Sequence, residues 1–129
     1  MEFVPCRLSH LLLDEQRDHV VFLSSLDGTR RLDFLIGPTE AAAITRYAKG
    51  ERFARPLTHD LIAGIIEALG ASLSGLRIVT TVDGTYYAEI VLTTAEGQEV
   101  AIDCRPSDGL ALLALHPDTE LLVADDLLE

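Results

Sequence analysis

Two short stretches of this chain hold the residue types that phosphate-ester chemistry uses. The first is Arg55-Pro56-Leu57-Thr58-His59-Asp60-Leu61, and the second is Ile102-Asp103-Cys104-Arg105-Pro106-Ser107-Asp108. Hydrolysis of a phosphodiester needs an activated water, stabilisation of the charge developing on phosphorus, and help for the leaving oxygen. An imidazole such as His59 exchanges protons near neutral pH and can serve as general base or acid. Asp60, Asp103 and Asp108 supply hard carboxylate oxygens, which suit either a catalytic role or ligation of Mg²⁺ or Mn²⁺. The guanidinium forks of Arg55 and Arg105 match a phosphate bidentately, and Ser107 adds a hydroxyl beside them. The set is sufficient as a parts list but does not force a metal site, since no H-x-x-x-H or D-x-D pattern occurs. His59 and Asp60 are neighbours in a predicted first helical turn, roughly 100° apart around the axis, so a straight helix does not aim both at one atom.

Positioning these residues falls to an alternation of strands and helices. Leu8 to Leu13, Val20 to Leu26 and Arg31 to Ile36 read as strands, the last two joined by a tight Asp27-Gly28 turn. Gly37-Pro38-Thr39-Glu40 ends the third strand and opens a helix that runs to Gly50, with Thr39 as the expected N-cap. A second helix is expected from Thr58, again as N-cap, with Leu61, Ile62, Ile65, Ile66 and Leu69 at apolar helical spacing and Gly70 at its end. Leu76 to Val82, Tyr86 to Thr94 and Glu99 to Asp103 follow as strands, then a nearly all-apolar helix from Pro106, a short strand Leu121 to Ala124, and a terminal turn at Asp125-Asp126.

The order β-β-β-α-α thus reads twice, with an extra strand near the end. Pro38-Thr39-Glu40 and Pro106-Ser107-Asp108 lie 68 positions apart in equivalent places, and Gly28 and Gly97 lie 69 apart. The expectation is one α+β domain over residues 1–129, with internal repeats at approximately 1–70 and 71–129. The repeats, each β3-α2-like, would join into one mixed or antiparallel, barrel-like sheet with flanking helices. The repeat also sorts scaffold from site. Thr39 and Ser107 read as helix-start residues rather than nucleophiles, and Glu40, Asp60 and Asp108 are partly accounted for by the helix dipole. Asp103 and Arg105 replace Leu35 and Gly37 of the first copy, and Arg55 and His59 replace Leu121 and Asp125 of the second, so duplication does not explain those four. An ionisable pair at an otherwise apolar strand end is costly unless paired or used.

The two stretches, together with Gly84-Thr85-Tyr86-Tyr87-Ala88 and Ile36-Gly37-Pro38-Thr39-Glu40-Ala41, strongly resemble the bifunctional nuclease (BFN) domain family. The resemblance runs in order from about Leu8 to Leu128. It implies an α+β fold with two structural repeats and a DNase or RNase activity, a hydrolase acting on DNA and RNA. Gly109 departs from it, standing where the family usually has alanine.

Composition sets limits on that implication. The chain has 129 residues, 10 Lys+Arg against 21 Asp+Glu and a net charge of −11. Its 48% hydrophobic content excludes a disordered chain. Residues 78–129 hold eleven carboxylates and one cation, Arg105, whereas Arg46, Lys49, Arg52 and Arg55 face only Glu51. A nucleic acid would therefore approach through the Arg46–Arg55 segment and Arg105, or through metal ions held by carboxylates. Cys6 and Cys104 form no disulfide framework, and the N-terminus lacks a basic then apolar leader, so a cytoplasmic location is expected. No membrane partner is expected, and a homo-oligomer is, through edges such as Tyr86-Tyr87. Two function classes stand: a nuclease, and a non-catalytic interaction or regulatory domain in which the same polar residues form a rigidifying network.

Overall fold

The computed structural model describes residues 1–13 and 19–129. Seven strands form one mixed sheet: β1 (Phe3–Leu13), β2 (His19–Ser25), β3 (Arg31–Ile36), β4 (Ser72–Val82), β5 (Thr85–Thr93), β6 (Glu99–Cys104) and β7 (Glu120–Ala124). Three α-helices accompany them: α1 (Pro38–Ala48), α2 (Thr58–Ala68) and α3 (Pro106–Leu115). A single 3₁₀ turn, Asp125–Leu127, follows β7. The order across the sheet is β3-β2-β1-β7-β4-β5-β6. Both β1-β2-β3 and β4-β5-β6 are antiparallel meanders, and β7 joins them, antiparallel to β1 and parallel to β4.

The expected α+β class is correct, but the sheet is open and does not close into a barrel. Its edges are β3 and β6. The edge strand β3 nevertheless approaches β5 near the other end, because the ring of Phe34 lies 5.4 Å from that of Tyr86. Val21, Leu23, Leu76, Ile78, Leu121 and Val123 are almost fully buried on the sheet side, and Ile44, Leu110 and Ala111 are on the helix side. With hardly a polar residue after its first turn, α3 occupies the middle of this core, and burial of such a helix on most sides is what its composition demands.

Several boundaries differ from the sequence reading for identifiable reasons. β1 begins five residues early because Phe3–Cys6 pairs with β7, a partnership no local pattern announces. The N-caps are Gly37, Leu57 and Arg105, not Thr39 and Thr58. Proline takes the first helical position in α1 and α3, where its missing N–H costs nothing. This moves Thr39 and Ser107 one place inside, and Glu40, Asp60 and Asp108 each stand third in their helices, α2 starting on Thr58. The expected second helix of the C-terminal half is only the 3₁₀ turn.

Candidate functional site

The N-terminal ends of α1, α2 and α3 face a common cleft of about 550 Å³, lined by Thr39, Glu40, Tyr47, Thr58, His59, Arg105 and Asp108, among others. Helix N-termini carry unpaired N–H groups and the positive end of the helix dipole, so their convergence favours negative charge. The third-position carboxylates answer that field in three different ways.

Asp108 is the hub. Arg105 donates to it through Nε (2.8 Å to Oδ2) and Nη2 (3.0 Å to Oδ1). His59 Nε2 lies 3.2 Å from Oδ1, and because an ionised carboxylate only accepts, the imidazole is the donor. The Arg105 fork, opposed by partial burial and helped by His59, holds the Asp108 carboxyl below the ordinary carboxylate range. Glu40 reaches the same arginine from α1, its Oε1 accepting from Arg105 Nη1 at 3.1 Å. Asp108 in turn helps push the Arg105 guanidinium above its usual value. Three of the five N–H donors of Arg105 are thereby engaged. The remaining two, one on each Nη, belong to a side chain that is 63% exposed.

Asp60 turns away from this group. Its Oδ2 accepts from the backbone N–H of Leu57 (3.0 Å) and from the hydroxyl of Tyr47 (3.2 Å). The first contact is the helix-closing half of a capping box. Burial, and then the bond to Asp60, raise the Tyr47 phenol above its ordinary value. The Tyr47 ring stands edge-on to the His59 ring with centroids 6.1 Å apart, so Asp60 and Tyr47 together brace the imidazole from behind. The adjacent positions of His59 and Asp60 on α2 therefore send them to different partners, as the helical angle required.

The structure brings His59, Arg105 and Asp108 together, places Asp60 immediately behind them, and leaves three predicted residues outside. Asp103 is exposed on β6 directly across from Glu89, which is itself paired with Arg77 (2.7 Å). Arg55 is exposed on the segment leading to α2. Ser107 is buried under the start of α3 rather than presented to the cleft. Asp60, Asp103 and Asp108 thus share no common point, and among the described residues no three His, Cys, Asp or Glu side chains gather closely enough to hold a metal ion. Cys104 faces the core, as strand alternation from Asp103 requires, and is free, as is Cys6. Burial first, then the Asp108 and Asp103 carboxylates, push its thiol up to about 11.

Glu40, Tyr47 and Arg46 line the cleft without having been singled out as site residues. Glu40 was legible in principle, since it stands third in a proline-initiated helix, as Asp108 does. Tyr47 was not, because an aromatic residue inside an amphipathic helix carries no sign of a polar role. A larger hollow of about 760 Å³ shares Tyr47 with this cleft, is otherwise lined by residues such as Cys6, Leu8, Leu113 and Leu121, and is mostly apolar. It holds none of the predicted site residues.

An open mixed sheet wrapped on three helices, with a His–Asp–Arg–Glu chain where their N-termini meet, defines the class of domain. The chain belongs to the bifunctional nuclease domain family, whose sequence pattern matches residues 21–129. It is also similar to uncharacterized proteins of Mycobacterium tuberculosis strains CDC 1551 / Oshkosh and H37Rv. Each is 41% identical over 97 residues, which covers 75% of this chain and 57% of the relative. The chain therefore spans little more than half the length of those relatives. No helix among the described residues is long and apolar enough to cross a membrane.

Proposed function

We propose that this domain hydrolyses phosphodiester bonds of DNA or RNA at the cleft where the three helices begin. The observation that carries the reading is the joint placement of His59, Asp108 and Arg105, which supplies a proton-transfer group, its orienting carboxylate and an anion-binding fork within one cleft. Asp108 fixes the imidazole through Nε2 and leaves Nδ1 as the nitrogen that can take a proton from the attacking oxygen. The two uncommitted N–H donors of Arg105, with the converging helix ends, receive the charge that grows on the phosphate oxygens. Asp60 and Tyr47 position His59. Arg46, Lys49, Arg52 and Arg55 form the approach for the polyanion, which predicts weak and salt-sensitive binding to a chain of this net charge. Asp103 and Ser107 receive no chemical step.

The test is cleavage of plasmid DNA and single-stranded RNA by purified wild type, His59→Ala, Arg105→Ala and Asp103→Asn proteins, with and without EDTA. Loss of at least about 100-fold in His59→Ala is expected for removal of a general base or acid. Asp103→Asn should retain the wild-type rate. Equal cleavage by wild type and His59→Ala would sink the assignment and indicate a contaminating nuclease. Activity that survives EDTA assigns the chemistry to this side-chain set alone. Activity abolished by EDTA and restored by Mg²⁺ or Mn²⁺ would overturn that assignment and return a divalent cation to the reaction.

One observation favours a second reading. Arg105 is already held by two carboxylates, and a pair so satisfied is also what a non-catalytic interaction or regulatory domain would use to tie three helix ends together. Folded but inactive wild-type protein, destabilised by Arg105→Ala, would support that alternative.

A further inference from the structure

The loop between α1 and α2 holds an aromatic side chain that lies outside the core. Phe53 is 50% exposed, and Arg46, on the last turn of α1, sets its guanidinium carbon 5.6 Å from the ring centroid. A single exposed phenylalanine is ordinary on a surface, but its company here is not. Lys49, Arg52 and Arg55 are exposed beside it, with Glu51 as the one carboxylate between positions 46 and 55. Tyr87, the other exposed Phe or Tyr among the described residues, stands in the stretch 78–129, whose one cation is Arg105. Arg46 also lines the cleft, and unlike Arg105 it holds no carboxylate. Among the described residues its guanidinium has no hydrogen-bond partner, and its Nε is buried without one. Glu51 shares a small surface hollow with Arg46 but forms no ion pair with it. The other nearby carboxylates are engaged: Glu40 on Arg105, Asp108 on Arg105 and His59, and Asp60 on Tyr47 and the Leu57 backbone. An anion arriving at Arg46 therefore displaces no ion pair.

We infer that Phe53 and Arg46 form a nucleotide subsite at the rim of the cleft, and that the polyanion it takes is a single strand. A base stacks on the exposed part of the Phe53 ring, and Arg46 receives the phosphate beside it. A guanidinium can hold a ring against its face and a phosphate at its edge, so the two contacts do not compete. Stacking accepts any base, because every base has a π face, but the base must be free of a duplex. Bases paired and stacked within a duplex offer this ring nothing. Charge alone would rank the two substrates the other way, because a duplex concentrates more charge along its axis than a single strand does. The inference names the substrate class of the proposed nuclease and rests on that reading for any cleavage, whereas the binding step stands on Phe53 and Arg46.

Binding is read by fluorescence anisotropy with labelled oligo(dA) of about 12 nucleotides, single or paired with oligo(dT), on a His59→Ala background that keeps the strands intact. The single strand should bind more tightly than the duplex. Phe53→Leu, which keeps an apolar side chain against Arg46, should weaken single-strand binding at least about fivefold and leave duplex binding unchanged. Arg46→Gln should reduce the salt dependence by about one phosphate contact. The chain has no tryptophan, so Phe53→Trp supplies its sole indole, and oligo(dA) should quench that emission in step with the anisotropy. This readout does not depend on Phe53→Leu folding, and it would not move if the ring merely pinned the loop to α1. Duplex binding as tight as single-strand binding, unchanged single-strand affinity in Phe53→Leu, or an indole whose emission ignores the oligonucleotide would each overturn the inference. A chain that binds neither form overturns it too, and leaves the exposed ring to a protein contact. Single strands bound through Phe53 but never cut by the unsubstituted protein would sink the nuclease reading and leave the subsite standing. Cleavage of single strand and duplex alike, unchanged in Phe53→Leu, would do the reverse.

Discussion

Replacing Asp108 by Asn removes the charge at the hub of the cleft while keeping the volume of the side chain. The loss can be worked out from its partners. Asn can still accept at one oxygen from His59 and Arg105 Nη2, but its amide group now faces Arg105 Nε, donor against donor. Arg105 is 63% exposed, so solvent screens its ion pair to the surface range of about 0.2–1 kcal/mol. Loss of a negative charge in the first turn of α3 adds about 0.3–1 kcal/mol. The expected destabilisation at pH 7 is therefore about 1.5 kcal/mol, which for a chain of this length lowers Tm by roughly 5 °C. Its pH dependence follows from the direction of the shift. Asp108 ionises more readily in the folded than in the unfolded state, so its contribution is complete above the unfolded value and is lost as pH falls through the folded one. Urea unfolding of both proteins at steps from pH 7 to pH 3 should show a constant gap down to about pH 5, and a narrowing gap below about pH 4. Other acid-labile groups are common to both proteins and cancel in the difference. A gap that persists unchanged at pH 3, or that is absent at pH 7, would refute the assignment of Asp108 as a charge-paired hub.

Gly109→Ala should destabilise the protein even though alanine is the better helix former by about 1 kcal/mol. A Cβ there would overlap Cδ1 of Leu76, whose side chain is fully buried. Overpacking of this kind costs about 1–3 kcal/mol, and adding Leu76→Val should recover part of the loss in a chemical denaturation series. Cys104, with its thiol pushed up to about 11, should react with iodoacetamide at pH 8 far more slowly than a free cysteine peptide. Asp108→Asn should speed that reaction, and a wild-type rate equal to the peptide's would contradict the burial of the thiol.

The local elements were legible because their signals are local. Asp27-Gly28 forces a turn, with Gly28 at φ 78°, and the apolar run after Pro106 becomes the central helix. The resemblance pointed to the family to which the chain belongs. What the sequence could not show were pairings between distant segments. Phe3–Cys6 finds β7 more than a hundred residues away, and the open sheet follows from strand partners that no periodicity encodes. Within the site, Arg105, His59 and Asp108 have the chemistry of a phosphate site and do converge. Asp103 has it too, but strand alternation against the core-facing Cys104 sends it to the outer face. Asp60, a candidate catalytic carboxylate and metal ligand already discounted as a helix-start residue, is committed by its position three residues after the N-cap to the backbone of Leu57.

The two β-β-β-α units differ where the cleft requires it. Both helices start with proline and carry a carboxylate at the third position, but α1 is capped by Gly37 and α3 by Arg105. The missing side chain at Gly37 is what lets Glu40 fold back over its own helix start, since a Cβ there would meet Glu40 Oε2 at 2.5 Å. In that position Glu40 can reach Arg105 at the N-terminus of α3. At α3 the cap itself supplies the long cationic side chain, which closes on Asp108 and reaches across to Glu40. Two similar helix starts thus interlock only because one cap has no side chain and the other has the fork that needs two acceptors. An arginine at both caps would oppose like charges across the cleft, and a glycine at both would leave Glu40 and Asp108 at adjacent positive helix ends with no cation between them. The difference between Gly37 and Arg105, more than any single candidate ligand, is what turns a structural joint into a polar cleft.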